Sequence, residues 1–493
     1  MKISDMTFKR KFSLNMRKSL EIPLAEMTFD SDFCDGGRGD LYPIVGSVGE
    51  HTEKIECGVY SCFGKRLNFR REYIERFFTG LFPYASYSLK VLSLDGEAGF
   101  AFFGKDARVE IVAESSAGKR FITFRGAMGE TRVSVAAEAD GSVTPVISLR
   151  PGAFEVYIKR EYGVEYLTTF EDENFNDSAR EDFFTNAGVS LFCLGSVRLT
   201  SARAFMDSGL GLADIRSVRY ENSEVMTENG RVYFTASIRR QWGTHQGVFS
   251  WVPGTCDFKM VGALFFDAGD GVWADDVATS LIYDRINKIW RLHVASFNHG
   301  HVIGSAAFEG DVRFGVNVVD IKLMPPMEDL GGAQDRLMLG KQGDEDPDLI
   351  YDEKRGKWLF SVCRKCAETG KYRYFFFESD YPDRDFQSAG VGVAGEETGG
   401  SIMNIDGEIY FICGNSRKLR SDYRVYRWGD FSKFETLSFD YPDGGFRGWG
   451  TVLPIKIGAR IRYFHLTFDR VRMSEYEWSY GNLYCFEGES RKI

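Results

Sequence analysis

The second half of the chain repeats itself, and a repeat of this length restricts the fold more than any single motif. Five segments share one plan: a polar or acidic start, an apolar strand, a turn, and a second strand with a central aromatic. The first three run from Ala213-Asp214-Ile215-Arg216 to Arg231-Val232-Tyr233-Phe234, from Trp273-Ala274-Asp275-Asp276-Val277 to Ile289-Trp290-Arg291-Leu292, and from Glu345-Asp346-Pro347-Asp348 to Lys357-Trp358-Leu359-Phe360. The last two run from Glu396-Glu397-Thr398-Gly399-Gly400 to Glu408-Ile409-Tyr410-Phe411, and from Gly448-Trp449-Gly450-Thr451 to Arg462-Tyr463-Phe464-His465. The anchors Tyr233, Trp290, Trp358, Tyr410 and Tyr463 stand 57, 68, 52 and 53 residues apart. Runs at 247–251, 372–377, 423–428 and 482–486 add an outer strand to several segments. A repeat holding several antiparallel strands is a propeller blade, so five repeats predict a five-bladed β-propeller. The fifth blade ends one strand short. Residues 197–205, just before the first repeat, are expected to supply that strand and cover the open edge.

The first part of the chain has a different rhythm. Between about residues 55 and 168, short runs such as 87–91, 108–112, 120–124 and 154–158 place apolar residues at every second position. That alternation buries one face and wets the other, which predicts a sandwich of two antiparallel sheets. The polar, acidic stretch 169–186 reads as a linker or a loop crossing to the second domain. The expected organisation is therefore all-β: a β-sandwich over 1–190 and a five-bladed propeller over 191–493.

Composition narrows the partners. The 61 basic and 71 acidic residues leave a net charge of -10, a surface that repels phosphate backbones and argues against nucleic acid. Charges at Lys2, Asp5, Lys9, Arg10, Lys11, Arg17 and Lys18 interrupt the start, so no secretory signal is expected there. No uncharged apolar run reaches membrane-spanning length, and no membrane partner is expected. The nine cysteines are scattered. Cys363 and Cys366 form a CxxC with no second CxxC to complete a zinc site, so the thiols read as reduced and the setting as cytoplasmic. No metal and no cofactor are predicted. A homo-oligomer formed through the sandwich is a further expectation.

In a propeller the inner strands of all blades converge on one channel. The blade starts here carry Asp214, Asp275 and Asp276, Glu345 and Asp346, and Glu396 and Glu397. Carboxylates crowded at one pocket push each other's pKa values apart, which splits acid from base roles near neutral pH. Sugar hydrolysis needs such a pair. These blade starts resemble the five-bladed propeller glycosidases of glycoside hydrolase family 43 and its furanosidase relatives, over roughly residues 196–488. The resemblance implies Asp214 as general base, Asp346 as the residue that tunes and orients the acid, and Glu397 as general acid, with Glu396 a rival. Trp273-Ala274-Asp275-Asp276 looks like that family's WAPD signature. Asp214 is followed by Ile215 and Glu397 by Thr398, where the family has proline and glycine. The fifth blade start lacks the family's channel histidine.

Around these acids the expected substrate-binding residues are Arg216, Trp273, Asp276, Glu345, His245 and Trp449. The two tryptophans suit stacking on a sugar face, and Arg216 suits an anion or the neutralisation of the acidic ring. Asp284 and Asp352, in the repeated Leu-Ile-Tyr-Asp, read as turn residues. His293, His299 and His301 gather around one turn without a carboxylate spacing suited to a metal. The expected function is hydrolysis of a terminal glycosidic bond in an oligosaccharide, by an inverting route and with a furanoside as the family's commonest substrate type. The alternatives are a polysaccharide lyase or glycoside phosphorylase on a propeller, in which Arg216, His245 and His465 would matter, and a non-catalytic carbohydrate-binding propeller.

Overall fold

A computed structural model describes residues 3–16, 18, 20–28, 44–48, 51–56, 59–64, 73–104, 106–324, 343–365, 371–393, 395–415, 423–440, 446–469 and 482–490. Cys366, half of the CxxC, lies outside the described residues. The chain divides into two compact units: Arg17–Asp207 with Gly271–Trp273, and Met1–Met16 with Ser208–Asp270 and Ala274–Ile493. Two boundaries differ from the expected ones. Residues 1–16 belong with the propeller, and residues 191–207 with the first unit. The stretch 169–186 does not cross between units; it holds the end of strand Gly163–Glu171, a 3-10 turn at Glu173–Phe175 and a short helix, Glu181–Phe184.

The second unit is a five-bladed propeller. Its inner strands are Gly211–Ser217, Val277–Asp284, Asp344–Asp352, Glu397–Ile405 and Phe446–Ile457. Each adjoins the next in turn and the last adjoins the first, which closes the ring. Blades three and four have four strands each; in blade three Asp344–Asp352, Lys357–Lys365, Tyr372–Ser379 and Gln387–Val391 follow in antiparallel order. Blade one carries an extra outer strand, Gly315–Asp320, which runs parallel to Phe258–Asp267.

Blade sheets are sandwiched between neighbours, so second strands are buried on both faces and read as continuous apolar runs rather than alternating ones. Arg231–Arg239 is buried at every position except its first. The outermost strand Asp430–Thr436 is largely exposed. The aromatic anchors fill the seams. Tyr233 and Trp290 share one apolar cluster formed by blades one and two, Trp358 lies in that of blades two and three, and Tyr463 in that of blades four and five. Blade five meets blade one through Trp251 and Phe464, whose rings stand 5.2 Å apart and nearly perpendicular.

The fifth blade is completed from an unexpected quarter. Met6–Leu14, at the start of the chain, pairs antiparallel with Leu483–Ser490 and parallel with Ser438–Phe439. Met6 and Phe8 are fully buried there. Residues 197–205 do not close the blade: they lie within Gly188–Asp207, a long strand of the other unit. Residues 197–205 already have partners on both edges, Ser86–Phe103 on one and Val59–Gly64 with Glu21–Thr28 on the other, so they have no free edge to offer.

In the first unit the pairing differs from two separate sheets. Thirteen strands form one hydrogen-bonded network organised on Ser86–Phe103 and Gly188–Asp207, which pair antiparallel along nearly their whole length. Its core is aromatic, with Phe102 and Phe154 rings at 5.0 Å and Phe124 stacked on Phe170 at 4.8 Å.

Candidate active site

Each inner strand breaks register once, near its start. The ladder skips between Ala213 and Arg216, Val277 and Ser280, Glu345 and Asp348, Thr398 and Ser401, and Arg447 and Thr451. Such bulges bend a strand and re-aim a side chain. In the first four blades the first bulge residue adopts a left-handed backbone: Asp214 at φ 51, Ala278 at 59, Asp346 at 51 and Gly399 at 61. Left-handed conformations strain non-glycine residues, though aspartate tolerates them better than most. Asp214 and Asp346 therefore occupy the same special position in blades one and three. Glu397 stands two residues earlier, in register with Asp276 and Asp344.

Asp214 and Asp346 meet at one end of the channel. The buried Arg216, 1% exposed, links them: Nη1 donates to the Asp214 carbonyl at 3.3 Å, Nε to the Pro347 carbonyl at 3.2 Å, and Nη2 lies 3.9 Å from Asp346 Oδ1. Asp346 Oδ2 accepts from the Tyr374 hydroxyl of its own blade at 3.3 Å and from the Gly399 amide at 2.9 Å, the latter tying it to blade four. Burial first, and the charge of Asp346 second, push the Asp214 carboxyl up to about 6, against Arg239 at 3.6 Å and Arg216. A buried carboxyl that titrates near neutrality beside another acid is a marker of acid–base chemistry.

Below them sits a second arginine layer. Arg219 pairs with Asp348 and donates to the Leu349 carbonyl at 3.2 Å and the Ile402 carbonyl at 2.5 Å. Asp348 also accepts from Ser280 Oγ at 2.8 Å and the Ile402 amide at 2.6 Å. One ion pair thus ties the segment just after the first inner strand to blades two, three and four.

The other expected residues fall in different places. Glu397 is fully buried, and its Oε1 accepts from the Tyr426 hydroxyl at 2.5 Å and from Arg424 Nη1 at 3.2 Å, both on the third strand of its own blade. Burial raises its pKa, opposed by Tyr426 and Arg424. Glu396 is half-buried with φ 67. Glu345 is half-buried at the rim; His301 Nδ1 lies 3.0 Å from its Oε1 and the Tyr372 hydroxyl at 3.5 Å. Burial raises its pKa, opposed by His301. Asp276 is buried and accepts from Asn298 Nδ2 at 3.0 Å and the Asn298 amide at 3.3 Å. Burial raises its pKa too. Asp275 joins this group through Asn298 at 3.1 Å and Thr244 at 2.9 Å.

Trp449 is half-buried and donates to Thr398 Oγ1 at 2.6 Å, beside the start of blade four. Trp273 belongs to the first unit, where its ring stands edge-on to Phe184 at 4.6 Å. His245 is buried and stacks on Phe265 within blade one. His465 is buried among Tyr423, Phe439 and Phe8, and burial pushes its pKa down to about 3. Asp284 and Asp352 accept turn amides at the far ends of their strands, as expected of turn residues. Near that far end a cavity of about 640 Å³ opens between Tyr220, Tyr351, Asp352, Asn404 and Lys456, with none of the rim acids in its walls.

Sequence reasoning missed Tyr374, Tyr426, Arg424 and Arg239. Their signal is weak: polar groups set among apolar residues on second and third strands, as in Tyr423-Arg424-Val425-Tyr426. Among the described residues no cluster of His, Cys, Asp and Glu is arranged to hold a metal ion.

No family model matches the sequence, and no curated protein matches it. Solved structures similar to the chain include the catalytic domain of a GH62 α-L-arabinofuranosidase from Coprinopsis cinerea, 12% identical, covering 56% of this chain and 91% of that one, TM-score 0.36. A thermostable family-43 glycoside hydrolase is 13% identical over 57% of this chain and 90% of its own, TM-score 0.37. A family 117 glycoside hydrolase from the marine bacterium Zobellia galactanivorans is 10% identical over 57% and 85%, TM-score 0.37. These activities are those proteins' own.

Proposed function

We propose that the protein is a glycoside hydrolase that releases a terminal sugar from an oligosaccharide. The observation that carries this reading is the Asp214–Asp346 pair, two acids on matched bulges joined by Arg216, with the Asp214 carboxyl pushed up to about 6. Hydrolysis of a glycoside needs a base for water and an acid for the leaving oxygen. Asp214 takes the proton of the attacking water, and the water oxygen bonds to the anomeric carbon as the glycosidic bond breaks. A carboxyl with a raised pKa on the opposite side protonates the departing oxygen. Glu397, assigned by resemblance, and Glu345 both have raised pKa values. Asp346 tunes Asp214 through its charge. Asp276 and Trp449 suit the binding of hydroxyls and a ring face.

The mechanism in this reading is inverting, with a furanoside as the first substrate type to test and the cytoplasm as the setting. The described cysteines, Cys62, Cys193, Cys256, Cys363, Cys413 and Cys485, are all free thiols, which suits a reducing compartment. The test is a screen of nitrophenyl glycosides, pyranose and furanose, with Asp214→Asn and Asp346→Asn as controls. Each variant should lower kcat/KM by about 10²–10⁴-fold, and NMR of the first-formed anomer should show inversion. Turnover that survives Asp214→Asn, or an unsaturated product, would sink the reading.

A further inference from the structure

The acid assigned by resemblance is shut away, and another stands in a better place. Glu397 has no exposed side-chain surface and turns to Tyr426 and Arg424 of its own blade. Glu345 keeps 13% of its side chain exposed, directly precedes Asp346, and faces a histidine that is 26% exposed. We propose that Glu345, held by His301, is the proton donor of this site, an inference that rests on the hydrolase reading above.

The couple is built into the fold. His301 sits in a left-handed conformation at φ 61, its amide donating to the Ser296 carbonyl at 3.0 Å, and its ring stacks on Phe297 at 4.3 Å. Gly343 passes so close that a Cβ there would lie 2.2 Å from the His301 carbonyl oxygen. Only glycine lets blade three approach blade two near enough to bring Glu345 Oε1 within 3.0 Å of Nδ1. Nδ1 faces Glu345 while the His301 side chain keeps 26% of its surface exposed, which gives a route for a proton between solvent and the carboxyl. The remaining groups facing Glu345 are the Tyr372 hydroxyl, the Asp346 carboxylate and the Cys363 thiol across the ladder. Arg364 beside them is engaged by Asp344. Burial and Asp346 favour the protonated carboxyl, and His301 opposes them.

In the step, the Glu345 O–H bond breaks and its proton passes to the glycosidic oxygen, which leaves with the electron pair of the C–O bond. Water supplies the new C–O bond and yields its proton to Asp214. His301 then returns a solvent proton to Glu345, and Asp214 releases its own.

The experiment compares Glu345→Gln, Glu397→Gln and His301→Asn on the glycoside found by the screen, carrying either a dinitrophenyl or an unactivated sugar leaving group. Dinitrophenolate departs without a proton, so loss of the donor should cost less than about tenfold there and about 10²–10⁴-fold on the sugar. Glu345→Gln should show that split and lose the alkaline limb of its pH profile, His301→Asn should move that limb, and Glu397→Gln should affect both substrates alike. The reverse pattern, with the split in Glu397→Gln, overturns the proposal. A second readout needs no turnover: a downfield Nδ1 proton of His301 in the NMR spectrum, lost in Glu345→Ala. Its absence from the wild type also overturns the proposal. A wild-type protein that cleaves neither substrate fails the hydrolase reading itself, and the donor role with it.

Discussion

At the scale of single residues, the site is expensive in stability. Asp214 is buried, beside another acid, and in a strained backbone conformation. Its folded pKa of about 6 lies above the unfolded value of about 3.9, so the folded state binds the proton more tightly. The penalty is absent below the unfolded value, grows as pH rises between the two, and is complete above about 6. Asp214→Asn should therefore stabilise the protein by about 2–3 kcal/mol at pH 8 and by much less at pH 4, while activity is lost. Thermal melts of both proteins across that range check the sign. In the wild type, the same titration predicts that kcat/KM falls as pH drops through about 6, because the base must be ionised. A profile flat to pH 4 would remove Asp214 from the base role.

At the scale of elements, the bulge and the closing strand matter most. The bulges turn Asp214 and Asp346 into equivalents and set Glu397 apart, a distinction of two residues that spacing along the sequence does not reveal. The closing strand Met6–Leu14 brings two buried side chains, Met6 and Phe8, to a blade whose other strands lie more than 400 residues away. Phe8→Ala should cost about 3–5 kcal/mol. Hydrogen exchange should then quicken first in Leu483–Ser490, the strand it pairs with. Equal quickening across all blades would show that the closure is not the weak seam.

At the scale of the whole molecule, the inner strands are tied together by charge as well as by packing. Arg219, just after the first inner strand, and Asp348 tie blades two, three and four, and each is buried. Arg219→Met leaves Asp348 charged and unpaired, and should destabilise the protein by about 3–5 kcal/mol. Arg219→Met with Asp348→Asn should recover part of that loss, since breaking a buried pair costs more than replacing it. Denaturant melts of the two variants measure the difference. If the double variant is no better than the single one, the pair is not the tie described.

The five blades are legible in the amino-acid order, because each must bury two faces and repeats the apolar run and aromatic anchor that do so. It also placed Asp214 and Asp346, whose blade starts carry their own punctuation. It did not reveal that residues 1–16 close the ring, since strand pairing across the length of the chain leaves no local trace. Nor did it show which way Glu397 turns, or that His301 meets Glu345. Those depend on where a bulge falls and on how closely two blades approach at Gly343. Backbone register and side-chain burial arise only once the sheets are paired, so it takes the tertiary structure to bring Asp214 and Asp346 together around Arg216.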